Sequence, residues 1–119
     1  MTEQQFKQRT KAYGLRIIRL VELLPRGMTA SVIGRQLLRA GTSVGANCRG
    51  KSVADMLAKL AIVEEEADES LYWMEMLVEG GYVSEAQLQD LMTEGDELVA
   101  MTVASIKTLQ KRKRRSHRQ

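Results

Sequence analysis

The sequence predicts an all-α protein that folds as an antiparallel up-down-up-down four-helix bundle. Four segments carry apolar residues at the helical spacings of three and four, and short stretches with proline, glycine or serine separate them. No segment shows the alternation of apolar and polar residues that is typical of a strand. Short connections between helices of comparable length favour antiparallel neighbours, and this predicts the bundle.

The first two predicted helices are joined by a short loop. Apolar periodicity defines a basic amphipathic helix over residues 4–24, and Pro25 with Gly27 is expected to end it. Thr29 is the predicted N-cap of a second helix over residues 30–49. The apolar side of this helix contains glycines, which cost helix stability and therefore indicate a face where another backbone comes close. We predict that three of them are oligomer contacts: Gly34, Gly41 and Gly45.

The third predicted helix has the most regular pattern in the chain. Its apolar seam runs without a break from Met56 to Leu77, which favours packing inside a bundle. Ser52 is the expected N-cap, and Gly80 with Gly81 is expected to end the helix. The residues that we predict to lie in the core of the bundle are Leu37, Val44, Leu60, Val63, Leu71 and Met74.

The fourth predicted helix begins at a capping box formed by Ser84 and Gln87. Its apolar face continues to Leu109, and an all-polar segment follows. The sequence therefore divides into a four-helix bundle over residues 1–110 and a basic C-terminal tail over residues 111–119.

Composition bounds the class of protein. A length of 119 residues with 44% hydrophobic and 28% charged residues is typical of one globular domain. A single cysteine, Cys48, excludes an internal disulfide framework and favours a reducing, cytoplasmic location. The longest uncharged runs have nine residues, whereas a membrane-spanning helix needs about 20. We therefore expect no membrane association.

The net charge of +3 is unevenly distributed along the chain. Residues 1–51 carry a net +8, residues 52–106 a net −12, and residues 107–119 a net +7. Two parts of the chain with opposite net charge favour ion pairs between them, within one subunit or across a subunit boundary. The basic C-terminal segment is then left without an acidic counterpart.

Several blocks resemble one bacterial family of four-helix-bundle proteins. They are residues 36–47 (QLLRAGTSVGAN), 59–62 (KLAI), 65–69 (EEADE) and 72–77 (YWMEML). In this order they are similar to the 23S rRNA intervening-sequence proteins. The resemblance implies a ring-like homopentamer without established catalysis. A distant relative, the accessory protein of diversity-generating retroelements, implies binding of nucleic acid and of a reverse transcriptase. The connection at 49–52 is about one turn shorter than in similar chains, so a role for that loop does not transfer.

Candidate catalytic groups lack the partners that their chemistry requires. Carboxylates follow one another along the third helix from Glu64 to Glu69, but di-metal sites in bundles also need histidines, and the chain has only His117. An acidic surface is the simpler interpretation, with Glu64 pairing with Arg35 or Arg39. A hydrolase that uses this ridge stays an alternative, and we expect no metal, cofactor or enzymatic activity.

Other polar and aromatic residues favour structural roles. Cys48 and Ser43 have no histidine or oxyanion loop nearby in the sequence, so nucleophilic catalysis is disfavoured. Ser43 shares with Gln36 and Asn47 a polar seam that can satisfy buried groups or bind a ligand. Tyr72 with Trp73 can stack on a base, but their helical spacing beside the seam favours packing or a subunit contact.

The basic segment is the feature that packing leaves unexplained. Closely spaced cations favour contact with nucleic acid, RNA before DNA, although a merely solvated tail has the same composition. The predicted binding residues are Lys111, Arg112, Lys113, Arg114, Arg115 and Arg118. A predicted secondary basic surface contains Arg35, Arg39, Arg49 and Lys51. The sequence thus predicts a homo-oligomeric nucleic-acid-binding scaffold, with a protein adaptor or accessory subunit as the alternative.

Overall fold

The computed structural model describes the backbone of residues 1–118 and the side chains of residues 1–116. Over this range the chain forms four α-helices and no strand, which confirms the predicted all-α fold. The helices are α1 (Glu3–Glu22), α2 (Met28–Ala46), α3 (Val53–Glu79) and α4 (Glu85–Arg118). Gln119 and the side chain of Arg118, both in the predicted basic tail, lie outside the described residues.

Each helix packs against its neighbour in sequence, as the up-down-up-down arrangement requires. Close contacts run in opposite directions along α1 and α2, since Gly45 faces Thr10 while Gly34 faces Leu24. The α3 helix packs along both α2 and α4, whereas α1 and α4 contact each other more sparsely. The result is an elongated bundle of 58 × 23 × 21 Å.

The core lies along the shared axis of the four helices. All six residues that we predicted for the core are buried; Leu60, for example, is 4% exposed. Five of the six, all except Leu60, belong to one cluster that also includes Tyr13 and Ile17 from α1 and Leu98 from α4. The periodic apolar positions of the sequence therefore converge on one continuous core.

Three of the four helices begin with a side-chain cap. The hydroxyl oxygen of Ser52 accepts a hydrogen bond from the backbone N–H of Asp55 at 3.1 Å, and Ser84 and Gln87 form the predicted capping box. Thr2 and Gln5 form a further capping box at the start of α1 that our sequence analysis missed. Its signal was present, since threonine followed three residues later by glutamine is a capping-box pattern.

The bounds of α2 differ from those predicted. The helix begins at Met28 with Gly27 as its N-cap, so the prediction of Thr29 as N-cap is wrong. Gly27 adopts φ 145°, a conformation that favours glycine, and this lets the chain turn directly into the helix. At the other end the side-chain amide of Asn47 donates to the carbonyl of Ser43 at 2.9 Å, and the helix ends at Ala46 rather than at Arg49.

The basic segment continues α4 without a break. No glycine or proline follows Gly95, and lysine and arginine are good helix formers, so nothing in the sequence ends the helix after Leu109. Residues 111–118 are therefore helical in the structure. The division of the chain at residue 110 stays a prediction.

Candidate nucleic-acid interface

The cations at the end of α4 form a basic helix that continues past the last apolar residue of the bundle. Residues 111–116 are all exposed. Because successive residues of a helix are rotated by about 100°, the five consecutive cations at 111–115 point to every side of the axis. Eight residues, 111–118, extend the helix by about 12 Å at 1.5 Å per residue. We call this part of the molecule the basic helix end.

Two electrostatic effects act on the basic helix end in opposite directions. Cations near a helix C-terminus are stabilised by the helix dipole. Like charges three or four residues apart repel one another, as in the pairs Lys111 with Arg115 and Arg112 with Arg115. The last acidic residue of the sequence is Glu97, so no carboxylate within the segment offsets this repulsion. An external polyanion can supply the missing charge.

A pocket adjoins the start of the basic helix end. It is lined by the beginning of α1 and by α4 from Met101 to Arg112, and it has a volume of about 480 Å³. Phe6, Leu60 and Leu109 supply apolar lining, and Arg112 also lines it. The first cations of the basic helix end therefore lie next to the bundle, while the later ones extend beyond it.

The predicted secondary basic surface is not a single surface. The guanidinium group of Arg39 donates to Glu66 at 3.0 Å and to Glu69 at 2.5 Å, so its charge is neutralised within the chain. Arg35 donates to the hydroxyl of Ser31 at 3.3 Å on the exposed side of α2. The other two predicted residues, Arg49 and Lys51, lie exposed at the connection between α2 and α3.

The ion pair of Arg39 changes the titration of its partner. Hydrogen bonding from Arg39 holds the pKa of Glu69 below its ordinary value, and a hydrogen bond from the indole N–H of Trp73 at 3.3 Å acts in the same direction. The predicted pairing of Glu64 with Arg35 or Arg39 is wrong, because Glu66 and Glu69 occupy the position facing Arg39.

The three glycines of α2 face α1 of the same chain. A Cβ atom on Gly41 would lie 2.3 Å from Cδ1 of Ile17, and one on Gly45 would lie 3.3 Å from the backbone carbonyl of Thr10. Gly34 likewise faces Val21. The expected close approach of two backbones is present, and it joins α1 and α2 within one chain, which buries Gly34 and Gly41. Gly45 is half-buried and also lines a groove between these two helices. The assignment of the glycines to an oligomer contact stays a prediction.

The remaining candidate groups have structural partners. The thiol of Cys48 donates to the carbonyl of Val44 at 3.2 Å, and burial raises its pKa, which disfavours the reactive thiolate. Ser43 accepts from the amide of Asn47 at 3.0 Å. Within the described part of the chain, no group of three or more histidine, cysteine or acidic residues is arranged to hold a metal ion. None of its helices is long and apolar enough to cross a membrane.

Two contacts that sequence reasoning missed join distant helices. Arg9 on α1 donates to both Glu94 and Glu97 on α4 and to the sulfur of Met101 at 3.4 Å, and these carboxylates raise its pKa. The opposite charges of the two halves indicated such pairing, but periodicity could not select the partners. Tyr13 makes the second contact, a buried hydrogen bond of 2.7 Å with Ser70.

The fold and the basic helix end define a class: a small antiparallel four-helix-bundle protein whose last helix carries a cationic extension. Residues 2–104 match the family described as 23S rRNA-intervening sequence protein. The chain belongs to that family. The match ends before the basic helix end begins.

A solved structure agrees with this assignment. The crystal structure of a protein of unknown function from the S23 ribosomal protein family of Bacteroides thetaiotaomicron shares 32% sequence identity with this chain. The TM-score is 0.83, and the alignment covers 90% of this chain and 99% of the other. A search among curated proteins found no match.

Proposed function

We propose that this protein is a non-catalytic, self-associating helical scaffold that binds nucleic acid, RNA in preference to DNA, through its basic helix end. One observation carries the proposal: a continuous helical segment with cations on every side is exposed beyond the bundle. Phosphates supply the opposite charge, and release of their counterions drives such binding. The family description refers to an intervening sequence of 23S rRNA, which supports RNA as the ligand.

The chemistry of the segment favours contact with the phosphate backbone. None of the five phenylalanine, tyrosine and tryptophan residues lies in α4, and His117 is the one ring-bearing residue of the basic helix end, so contacts with phosphates outweigh base stacking there. Binding with little sequence preference is therefore expected. In a homopentamer, which the family resemblance implies, several basic helix ends would act together and strengthen weak single contacts. A cytoplasmic location is consistent with this role.

The salt dependence of RNA binding tests the proposal. If four cations of the segment reach phosphates of duplex RNA, log K should fall with log salt at a slope of about −3.6, by analogy with the value of 0.9 per phosphate for B-form DNA. Affinity for a labelled mixed-sequence duplex should then fall about 150-fold between 50 and 200 mM salt. Removal of residues 110–119 should flatten the slope and leave the circular dichroism of the bundle otherwise native.

A charge-matched variant separates the site from the net charge. Substituting glutamine for Lys111, Lys113, Arg114 and Arg115 should reproduce the truncation. The same substitution of four cations elsewhere, Arg16, Arg19, Arg26 and Arg35, removes as much charge and should change the slope by less. Equal affinity of truncated and full chains at low salt would refute the role of the basic helix end. Absence of any binding to RNA or DNA would favour the protein adaptor instead.

A further inference from the structure

The outer face of α3 carries three large apolar residues that its own chain leaves exposed. Ile62, Tyr72 and Met76 are 39%, 51% and 39% exposed. Together with Glu65 and Glu69 they recur at spacings of three and four, the spacing of a helix face that packs against another helix. The opposite face of α3 is filled by the core, so this helix has two faces suited to packing and only one is used within the subunit.

Acidic side chains accompany these exposed apolar residues. Glu65 and Asp68 are both exposed and lie between Ile62 and Tyr72. Among the described side chains no cation is within ion-pair distance of either carboxylate, although Glu69 beside them is paired with Arg39. We call the set Ile62, Glu65, Asp68, Tyr72 and Met76 the outer ridge.

A groove of the opposite charge lies on another side of the bundle. It runs between α1 and α2 and has a volume of about 370 Å³. Leu15, which is 48% exposed, and Ile18 give it an apolar floor. Lys7, Lys11 and Arg49 also line it, and no acidic residue does. We call this the basic groove.

Close helix packing explains why the groove is there. A Cβ on Gly14 would lie 3.5 Å from the carbonyl oxygen of Gly41, and one on Gly45 would lie 3.3 Å from the backbone of Thr10. With no side chains on these glycines, α1 and α2 approach closely and leave a shallow depression along their junction. The longer side chains of Lys11 and Arg49 then stand beside it.

We infer that the outer ridge of one copy of this chain docks into the basic groove of the next copy. The apolar residues of the ridge would meet the apolar floor, and Glu65 and Asp68 would meet Lys11 and Arg49. Ridge on ridge and groove on groove would each place like charges together, so the two-fold contacts that pair either surface with itself are disfavoured. A head-to-tail contact between two different surfaces produces a ring where the rotation closes and a filament where it does not.

The observations favour a protein in the groove over nucleic acid. Phosphates would satisfy Lys11 and Arg49, but the half-exposed Leu15 would stay in water. The outer ridge also carries exposed apolar residues, Ile62, Tyr72 and Met76, and two such surfaces can bury each other. This inference rests on the self-association in the proposed function and is independent of RNA binding by the basic helix end.

Charge reversal of each surface tests the inference. The groove variant carries Lys11→Glu and Arg49→Glu, and the ridge variant carries Glu65→Lys and Asp68→Lys. A third variant, called the four-fold variant, carries all four changes. Masses by light scattering over a concentration series should show an oligomer for the unmodified chain. We expect the dissociation constant to rise about tenfold or more in each double variant, because like charges then face each other. The four-fold variant should recover the original mass.

A mixture of the two double variants gives an independent check. The acidic groove of one accepts the basic ridge of the other, and the unchanged surfaces also match, so equal amounts should associate in alternation. Only even numbers of subunits can then close a ring. A control with Arg26→Glu and Arg35→Glu changes charge equally outside the groove and should keep the original mass. Circular dichroism establishes that every variant is folded.

The outcomes separate this inference from the proposed function. An unmodified chain that stays monomeric at every concentration would refute self-association and the inference together. An oligomer that survives either double variant, or that is not recovered in the four-fold variant, would refute the docking of ridge into groove and leave self-association intact. Loss of RNA binding in the groove variant at unchanged mass would assign the groove to nucleic acid and would also overturn the inference.

Discussion

Arg9 on α1 and Glu94 on α4 form a two-bond ion pair that joins the first and last helices of the bundle. The Nε atom of Arg9 donates to one carboxylate oxygen at 3.0 Å, and a terminal nitrogen donates to the other. The pair lies where α1 and α4 contact each other only sparsely, so few apolar contacts substitute for it. It is partly buried, with the two side chains 32% and 19% exposed.

Removal of one partner should therefore weaken the closure of the bundle. We expect Arg9→Ala to lower the free energy of unfolding by about 1.5–3 kcal/mol, the range for hydrogen bonds to charged groups. Urea unfolding measures the change. The exposed Arg16→Ala serves as control and should stay within about 0.5 kcal/mol of the original. A double-mutant cycle with Glu94→Ala should show coupling, and strict additivity would contradict a direct contact.

The buried pair of Tyr13 and Ser70 should respond asymmetrically to mutation. Tyr13→Phe leaves the Ser70 hydroxyl its second bond to the carbonyl of Ala67 at 2.6 Å and should cost about 0.5–1.5 kcal/mol. Ser70→Ala leaves the buried tyrosine hydroxyl without a partner and should cost about 1–3 kcal/mol. Denaturant unfolding of both variants gives the comparison. A smaller loss in Ser70→Ala than in Tyr13→Phe would contradict this account.

Burial of Tyr13 also predicts a titration. Desolvation raises its pKa from 10.0 to about 12, because the charged phenolate is disfavoured in the core. A folded-state pKa above the unfolded one contributes stability that is fully present below pH 10 and is lost as pH rises toward 12. Absorbance of the phenolate should therefore show one tyrosine that ionises later than the other two. If this late ionisation is missing from the titration curve of Tyr13→Phe, it belongs to Tyr13.

The ion pair of Arg39 with Glu69 predicts the opposite dependence. The pKa of Glu69 is lowered from its ordinary 4.5, so the contribution to stability is present above pH 4.5 and is lost as pH falls through the depressed value. We expect Arg39→Gln to destabilise the fold at pH 7 and to have a smaller effect at pH 3. Thermal unfolding at both values measures the difference. An equal loss of stability at pH 7 and at pH 3 would exclude the Glu69 carboxylate as the cause.

The glycine contact between α1 and α2 predicts intolerance of larger side chains. A side chain at Gly45 would meet the backbone of Thr10, which cannot rotate away, so Gly45→Leu should cost about 1–3 kcal/mol or more. Ala12→Leu adds nearly the same bulk at an exposed position of α1 and should be tolerated. Thermal midpoints of the two variants give the comparison. Equal midpoints would mean that the helices are not in close contact there.

The local patterns of the sequence predicted the helices well. Ser52 and Gly80 were identified as the boundaries of α3 because capping and termination depend on residues close in sequence. Thr29 was predicted as a cap because its hydroxyl suits that position, but the backbone of Gly27 turns two residues earlier. The core was predicted from periodicity, since Leu37 on α2 and Val63 on α3 each belong to a series of apolar residues on one face of the helix.

Contacts between helices were harder to predict. Periodicity places Arg39 and Glu66 on their own helices but does not determine how α2 and α3 are aligned along each other. For the same reason it could not tell that the face of Gly41 is filled by Ile17 of the same chain. The basic helix end was apparent from composition, whereas its helical form depended on the absence of any residue that ends α4.

Repulsion within the basic helix end leads to the last prediction, which couples its helical order to binding. Each like-charged pair at a spacing of three or four disfavours the helix by about 0.2–0.5 kcal/mol, and phosphates remove that penalty. Hydrogen exchange of the amides of residues 110–118 should therefore slow when a short RNA duplex is added at low salt. The variant with glutamine at 111, 113, 114 and 115 should be protected without RNA and should change little on its addition. Binding that leaves exchange in the unmodified segment as fast as before would show that the cations contact RNA from an unfolded chain, and would refute the coupling.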